Sequence, residues 1–247
     1  MADAHRPAPR TIAIASYNIH SCVGLDFRLS AARIAAVLRE LDCDIYALQE
    51  VDNQPGPHEE SMQLEYLSKA LGMSAVPGLR IVRHTGEYGN AILTRLPITR
   101  VRRHDLSYPR CEPRGALEVD LDIDGQTLRV IGAHLGLRRS ERRFQWRHLM
   151  VAIAEAPIDT PTILLGDMNE WLPRAATLAE ADRAFGKPPA PVAFPSFASC
   201  LALTRIWVRP LPALVSLSVH RSKLARRASD HLPVKAVVRT ERFGVIT

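Results

Sequence analysis

Several apolar runs that are typical of β-strands end in a side chain able to bind a metal ion or move a proton. A polar side chain at a strand end is presented by a loop without disturbing the core of the sheet. A single acid in such a place is most often a solvated turn residue, but five such ends in one chain predict a functional site. The residues are Asn18, Glu50, His134, Asp167 and, just before the last run, Asp230 and His231.

The types of these donors indicate which chemistry they could perform. Carboxylate and amide oxygens are hard ligands, which suit Mg²⁺ or Mn²⁺ better than zinc. A magnesium ion held by one or two carboxylates and by substrate oxygens is the usual arrangement for phosphoryl chemistry. A further carboxylate could deprotonate a water molecule, and a histidine could donate to the phosphate. The set therefore predicts metal-assisted chemistry on a phosphoester.

Other catalytic motifs are absent from the sequence. It contains no G-x-S-x-G, no H-E-x-x-H and neither of the glycine-rich phosphate loops, G-x-x-x-x-G-K-[ST] and G-x-G-x-x-G. These absences argue against a serine hydrolase, a zincin and nucleotide cradles of those kinds. The run Ser229–His231 cannot form a catalytic triad, because neighbouring side chains in extended chain point to opposite sides.

Composition limits the class of protein. The chain has 247 residues, of which 47% are hydrophobic and 23% charged, which is typical of one large globular domain. Its formal net charge of +6 suits an anionic partner such as a phosphate ester, a nucleic acid or a lipid headgroup. No apolar stretch reaches the roughly 18–20 residues of a membrane span, and the scattered cysteines lack a zinc spacing. We expect a cytoplasmic monomer without a transmembrane segment.

The elements that must position these side chains follow from apolar periodicity and from turn residues. The pattern predicts a loose tail at 1–10, one domain at 11–240 and a second tail at 241–247. A mixed-sheet α/β or α+β domain is expected from the order βαβα, then a run of strands, then αβ and further strands. A first helix is expected to carry Ile34, Val37, Leu38 and Leu41 on its apolar face, with Ser30 as N-cap, and a second to end at Gly72. Further helices are expected at 140–155, with Phe144, Leu149 and Ile153 inward and the arginines outward, and at about 174–181. Strands are expected at 11–17, 44–50, 76–82, 88–94, 98–104, 115–122, 127–134, 162–166, 206–210, 213–219 and 232–239.

Eight segments in order resemble the signatures of one family, the metal-dependent endonuclease/exonuclease/phosphatase superfamily related to DNase I. The resemblance covers about residues 11–240, and its most specific part is GDMN followed by SDH. It implies a four-layer α/β sandwich, in which two mixed β-sheets pack face to face with helices outside. The segments are YNIH (17–20), ALQEVD (47–52), EYGNAILTRLPI (87–98), EPRGAL (112–117), AHLGL (133–137), LLGDMNEW (164–171), RIWV (205–208) and SDHLPV (229–234).

The resemblance also implies a role for each matching residue. Glu50 would be the main ligand of Mg²⁺ or Mn²⁺, with Asn18 beside it and Asp230 completing or supporting the metal site. Asp167 would align or deprotonate the attacking water. The remaining residues would contact the water or the phosphate, and they are Asn169, His231, His134, Asn90 and Arg114.

One position departs from the family pattern. The family usually has an aspartate directly before the R-I-x-V strand, where it orients the catalytic histidine, whereas this chain has Thr204. A threonine can accept a hydrogen bond but cannot stabilise an imidazolium as a carboxylate does. We therefore expect a lower or more alkaline-sensitive activity. His20 lies where other branches carry an acid, and both a structural role and a substrate contact remain open for it.

Three features of the sequence bear on the substrate. The resemblance favours phosphodiesters over monoesters, and the histidine of AHLGL argues mildly against abasic-site repair. The basic segments 137–149 and 220–227 could be solvated surface or could contact a nucleic acid or an anionic membrane. The alternatives to a phosphodiesterase are a nuclease acting on DNA or RNA, and a low-activity module that binds a phosphorylated ligand, for which Thr204 is the support.

Overall fold

Two mixed β-sheets form the centre of the protein in a computed structural model that describes residues 11–83, 86–155, 157 and 159–243. The strands are β1 (Thr11–Asn18), β2 (Ile45–Asn53), β3 (Ser74–Arg83), β4 (Gly86–Thr94), β5 (Ile98–Asp105), β6 (Gly115–Ile123), β7 (Gln126–His134), β8 (Thr162–Asp167), β9 (Thr204–Arg209), β10 (Leu214–Val219) and β11 (Val234–Arg239). In the described part of the chain, one sheet has the order β10-β11-β1-β2-β4-β3 and the other β5-β6-β7-β8-β9. Strands β1 and β2 contact β8, and β4 contacts β6 and β7, so the sheets pack face to face.

Helices cover the outer faces of both sheets. The first two pack against each other and the second contacts β2, whereas the third and fourth pack together beside β9. This four-layer α/β sandwich confirms the predicted fold class. The helices are α1 (Ala31–Leu41), α2 (Gln63–Leu71), α3 (Arg139–Ala154), α4 (Ala176–Phe185) and α5 (Ala225–Ala228).

The predicted ends of the first two helices are confirmed. The Ser30 hydroxyl accepts a hydrogen bond from the Arg33 N–H at 3.2 Å, which caps the first turn of α1. Gly72 ends α2 with a φ of 63°, a left-handed conformation that glycine adopts without steric cost. A helix end that is set by the chemistry of one local residue is thus predicted correctly from the sequence.

The inward face of α3 differs from the prediction. The sequence suggested Phe144 as a core residue and the arginines as solvent-facing. Phe144 is instead half-buried beside Tyr108, and the fully buried residue is Trp146, whose ring lies 5.9 Å from that of Trp207. Arg142 is buried as well, because it forms an ion pair with Glu170, on the loop after β8. The pattern of residues within the helix does not reveal this partner.

Several boundaries also differ. Helix α4 lies at Ala176–Phe185 rather than at 174–181, and β9 begins two residues earlier than expected because Thr204 pairs with Asp167 of β8. The short helix α5 was not expected. Phe243, in the predicted C-terminal tail, is buried against the core, while residues 1–10 and 244–247 lie outside the described residues. Among the described helices, none is long and apolar enough to cross a membrane.

Strand direction brings the polar strand ends to one edge of the sandwich. Strands β1 and β2 are parallel, and so are β7 and β8, in which His134 lies opposite Asp167. Strand β9 is antiparallel to β8, so its first residue, Thr204, lies at that same edge. The loop before β11 also reaches this edge, because the Ser229 hydroxyl donates to the Asn18 carbonyl at 2.8 Å.

Candidate active site

The two sheets are joined at this edge by the side chain of Asn18. Its amide nitrogen donates to Glu50 Oε1 at 2.8 Å, within the first sheet, and to Asp167 Oδ2 at 3.1 Å, across to the second sheet. Asn18 and Asp167 are both 1% exposed. Two carboxylates that are 117 positions apart in the sequence are therefore held on one buried amide group.

An irregularity in β2 aims Glu50 at the site. The pairing of β2 with β4 shifts register between Leu48 and Val51, and Glu50 has a φ of 58°, a left-handed conformation rare for a non-glycine residue. A β-bulge of this kind bends the strand and redirects one side chain, often next to an active site. Burial raises the pKa of Glu50, and the carboxylates of Asp167 and Asp230 raise it further.

The orientation of Asn18 refines its predicted role. Its side-chain oxygen accepts a hydrogen bond from the His20 N–H at 3.0 Å, while its nitrogen faces the two carboxylates. An amide in this orientation presents no oxygen to a cation beside Glu50. Asn18 is positioned to hold the carboxylates in place, and a role as a metal ligand would require the amide to turn and break its bond to His20.

Asp167 is the most heavily contacted carboxylate of the site. Its Oδ1 accepts from the Asn169 N–H at 3.0 Å, and its Oδ2 lies 3.6 Å from His231 Nε2 and 3.7 Å from His134 Nε2. Burial opposes the charged form, but neighbouring His231 and the N–H donors of Asn18 and Asn169 hold the pKa of Asp167 below its ordinary value. The carboxylate is therefore ionised at neutral pH and able to accept a proton.

His134 is buried between two hydrogen-bond donors. Arg114 lies 3.2 Å from its Nδ1, and the Asn169 amide nitrogen lies 3.1 Å from its Nε2 and also donates to the Leu135 carbonyl. A proton on either ring nitrogen would meet a donor, so the imidazolium is disfavoured on both sides. Burial and then the Arg114 charge lower the pKa of His134 to about 3. His134 is thus neutral at pH 7.

This lowered pKa has a consequence for stability. A histidine has a pKa of about 6.5 when unfolded, so below that pH the unfolded chain binds a proton that the folded site refuses. Wild-type protein should lose up to about 1.4 kcal/mol of unfolding free energy per pH unit from this group, between pH 6.5 and about 3. In H134Q the fall between pH 7.5 and pH 5, measured by urea unfolding, should be smaller by about 2 kcal/mol.

The matched control for this experiment is H58Q, since His58 is an exposed histidine outside the site. Its loss of stability between the same two pH values should equal that of the wild type. An H134Q protein that loses as much stability as the wild type would show that His134 takes up a proton normally in the folded state.

His231 is held by its backbone and by its ring. Its N–H donates to the Ser229 hydroxyl at 3.1 Å, and its ring packs against that of Phe194 in a tilted contact with 4.5 Å between centroids. Its Nε2 faces Asp167, but its Nδ1 is buried and has no hydrogen-bond partner among the described residues. The Thr204 hydroxyl, opposite Asp167 in the sheet, is equally buried and equally without a partner in the described part of the chain.

Asp230 lies at the open side of the site and is partly exposed. Its Oδ1 is 3.3 Å from the Ser229 hydroxyl and 3.9 Å from His20 Nδ1. The same His20 nitrogen lies 3.0 Å from the Val23 carbonyl. His20 therefore has a structural contact in its own loop and also adjoins the site, so both of its predicted roles remain compatible with its position.

The two predicted substrate contacts differ in their surroundings. Asn90 is buried within β4 and donates to the Gly115 carbonyl at 2.8 Å, which joins β4 to the start of β6. Arg114 contacts His134 and forms an ion pair with Glu112 at 2.8 Å. Both line one small crevice next to the site. Asn90 thus has a structural role, and contact of either residue with a substrate stays a prediction.

The donor set fits a magnesium-type cation that is completed by other ligands. Among the described residues, no three His, Cys, Asp or Glu side chains are grouped as a metal site on their own. Magnesium usually takes only one or two carboxylates from the protein and keeps water or substrate oxygens in its remaining positions. The mutual repulsion of Glu50, Asp167 and Asp230 would be relieved by a cation, which is the observation that supports such a site.

The sequence did not reveal every residue that shapes the site. The ring of Phe194 orients His231, yet it lies in an irregular proline-rich segment with no periodicity to mark it. Ser229, the first residue of the SDH motif, links His231 to the Asn18 carbonyl. Its position in the loop before the last strand, directly before two polar site residues, was the available signal.

The two basic segments are only partly free surface. In the segment 137–149, Arg142 forms a buried ion pair with Glu170 at 3.2 Å, while the other four arginines are exposed. In the segment 220–227, His220 pairs with Glu40 at 2.8 Å and Arg221 binds the Val192 carbonyl at 2.7 Å. The exposed side chains of this second segment include Lys223 and Arg227.

Comparisons with known proteins agree with the fold and with the motifs. The chain is 29% identical over 248 residues to the uncharacterized protein YbhP of Escherichia coli K12, covering 91% of this chain and 95% of that one. It superposes with a TM-score of 0.70 on an endonuclease/exonuclease/phosphatase from Beutenbergia cavernae, at 22% identity over 93% of this chain and 72% of the other.

A second solved structure, D. rerio TDP2 in complex with a single-strand DNA product, superposes with a TM-score of 0.67 at 19% identity, covering 93% of this chain and 99% of the other. At 22% and 19% identity, the similarity to these two structures shows a shared fold only. The sequence model described as the Endonuclease/Exonuclease/phosphatase family matches residues 15–231, most of the chain, in a stretch that includes each of the candidate site residues. The chain therefore belongs to the endonuclease/exonuclease/phosphatase family.

Proposed function

We propose that the protein is a metal-dependent phosphodiesterase, in which Asp167 activates water for in-line attack on phosphorus. Membership of the family supports the coarser statement, a phosphoester hydrolase. The observation that carries the proposal is the amide of Asn18, which bridges Glu50 and Asp167 while both site histidines face the same Asp167 oxygen. General base, cation ligand and phosphate donors thus converge on one buried point.

Asp167 has the properties of a proton acceptor in this site. Its pKa lies below the ordinary value, so it is ionised before water arrives. Its Oδ1 is held by the Asn169 N–H, which leaves Oδ2, at 3.1 Å from Asn18 Nδ2, as the oxygen that faces the histidines. As the water attacks phosphorus, its proton passes to this carboxylate, and the P–O bond to the leaving group breaks.

Glu50 and Asp230 are the side chains that would hold the cation, with Asn18 keeping Glu50 in place. Mg²⁺ or Mn²⁺ supplies Lewis-acid polarisation of a phosphoryl oxygen when bound. Glu50 suits this task because burial and neighbouring carboxylates raise its pKa, so a nearby cation stabilises its charged form.

The phosphate would be bound by donors around Asp167. His231 directs Nε2 to this point, and the hydrogen bond that it donates to a non-bridging oxygen would strengthen as charge develops. Arg114 brings a fixed positive charge beside neutral His134. Asn169 is buried and would hold the water or a phosphate oxygen.

The threonine at position 204 predicts a lower activity than the same site would have with a carboxylate there. A carboxylate at position 204 could accept a hydrogen bond from the buried His231 Nδ1 and stabilise the imidazolium. T204D should therefore raise kcat by about tenfold and keep the enzyme active to higher pH. Measurement of kcat for diester hydrolysis between pH 6 and pH 9 tests both effects.

The isosteric control T204V should behave like the wild type, because the Thr204 hydroxyl has no partner among the described residues. A T204D rate that is unchanged or lower would contradict this account of position 204.

Thr204 also favours a second candidate function, a module that binds a phosphorylated ligand without turnover. One experiment separates the two candidates, namely hydrolysis of bis(p-nitrophenyl) phosphate and p-nitrophenyl phosphate with Mg²⁺, Mn²⁺ or EDTA. Turnover that requires metal and prefers the diester supports the phosphodiesterase. Preference for the monoester would make the enzyme a phosphatase. Thermal stabilisation by metal without hydrolysis of either ester would support the binding module.

A further inference from the structure

Two large aromatic side chains project into solvent beside the candidate site. Phe27, on the loop between β1 and α1, is 91% exposed, and Phe197, on the loop between α4 and β9, is 67% exposed. Single exposed apolar residues are common, but paired aromatic tips on tight turns are not explained by packing. We infer that these tips and the basic residues next to them dock the protein on an anionic phospholipid surface.

The loop of Phe27 is built to hold that ring outward. Its N–H closes a turn onto the Gly24 carbonyl at 2.9 Å, and its φ of 59° is a left-handed conformation that is unusual for an aromatic residue. Strained backbone of this kind persists where the surroundings over-determine it, and it clusters at functional places. Leu25 and Leu29, on the same loop, are exposed as well, at 38% and 54%.

Both loops are fixed to the segment 225–230, which leads into His231. The Leu25 N–H donates to the Arg227 carbonyl at 3.0 Å. On the other side, the Ser196 N–H donates to the Asp230 carbonyl at 2.7 Å, and the Ser196 hydroxyl donates to the Arg226 carbonyl at 3.1 Å. The two aromatic tips therefore flank one short segment at the edge of the candidate site, and we call Phe27, Phe197, Lys223 and Arg227 the docking rim.

Close approach of the first loop to this segment requires a glycine. A Cβ on Gly24 would lie 2.5 Å from the Arg227 carbonyl oxygen and 2.3 Å from the Arg33 guanidinium. The loop thus rests directly on the backbone of the basic segment.

The charges around the rim match an anionic surface. Lys223, Arg227 and Arg28 are exposed, and two nearby acids are paired with basic side chains. Asp26 binds Arg33 at 2.8 Å, and Glu40 binds His220 at 2.8 Å. Basic residues near a membrane attract anionic lipids, and apolar tips enter the headgroup boundary. Leu25 and Leu29 favour a lipid over stacked bases, because only aromatic rings offer a stacking face.

The test is co-sedimentation of the full chain with vesicles of phosphatidylcholine alone, or of equal parts phosphatidylcholine and phosphatidylglycerol. Wild-type protein should bind the anionic vesicles and should bind them less at high salt. F27S and F197S should each lower the partition coefficient by about tenfold, because each removes one ring that would enter the membrane. K223E/R227E should weaken it by about tenfold or more through the lost attraction.

The matched control is V215S. Val215 is 47% exposed, but it lies on β10 towards the end of β11 that is remote from His231, so its loss should leave vesicle binding unchanged. Since Phe27 and Phe197 are exposed and take no part in the proposed reaction, F27S and F197S should unfold at the wild-type temperature.

Two results would overturn the inference. One is the absence of wild-type binding to anionic vesicles, or binding by a variant that lacks both rings that equals wild-type binding. The other is binding of single-stranded DNA that depends on the rim, without binding to vesicles, which would make the rim a nucleic-acid surface. Vesicle binding is scored without turnover, so this inference and the proposed hydrolysis can each fail while the other holds.

Discussion

Replacement of Asp167 by asparagine should lower kcat for diester hydrolysis by about 10³-fold or more, because an amide cannot accept the proton of the attacking water. The substitution keeps the size of the side chain, and its one amide oxygen can still accept the hydrogen bond from the Asn169 N–H. Substrate affinity should therefore change much less than kcat. Steady-state hydrolysis of bis(p-nitrophenyl) phosphate with saturating Mg²⁺ measures both quantities.

The matched control for D167N is D159N, which changes an exposed aspartate in a loop remote from the site. D159N should retain the wild-type rate. D167N must also unfold at a temperature similar to that of the wild type, so that a low rate reports chemistry and not misfolding. A D167N enzyme within tenfold of the wild-type kcat would show that Asp167 is not the base.

Replacement of Glu50 by glutamine should have opposite effects on stability with and without metal. Without metal, the partly buried Glu50 carboxylate lies near the carboxylates of Asp167 and Asp230, and its raised pKa means that its charge costs stability at pH 7. E50Q should therefore unfold at a higher temperature than the wild type in EDTA. With Mg²⁺ present, the wild type should gain stability and E50Q should gain little, because metal affinity falls by about 100-fold or more.

Thermal unfolding as a function of Mg²⁺ concentration measures both effects in one titration. E87Q is the matched control, since Glu87 is exposed on the neighbouring strand β4, and it should follow the wild-type curve. An E50Q protein that Mg²⁺ stabilises as strongly as the wild type would rule out Glu50 as the principal ligand. Loss of metal stabilisation together with loss of turnover would link the cation to the reaction.

Local sequence was enough to locate the elements and to nominate the site. The alternation of apolar residues places strands such as β7 and β8 nearly to the residue, and the caps Ser30 and Gly72 mark the helix ends as expected. Because five strand ends of one chain carry such polar residues, Asn18, Glu50 and Asp167 could be nominated without a structure. Hydrogen bonds among these three then place them within one site.

Contacts between residues distant in the sequence could not be predicted from local patterns. Arg142 follows the pattern of an exposed helix face, but it is buried because Glu170, 28 residues later in the chain, neutralises it. Trp146 is core and Phe144 is not, because the ring of Trp207 on β9 meets the helix at one side only. A helical pattern shows which residues share a face, whereas the partners across the interface decide which face is inside.

The amino-acid sequence by itself determined which residue types stand at the strand ends, and hence the class of chemistry, because identity and spacing are local properties. Only the tertiary structure decided how those groups are directed. The bulge at Glu50 and the amide orientation of Asn18 arise from pairing with β4 and from the loop at His20. Burial leaves Nδ1 of His231 without a hydrogen-bond partner among the residues that the structure describes. These features depend on elements distant in sequence, whose packing fixes a geometry that no local pattern encodes.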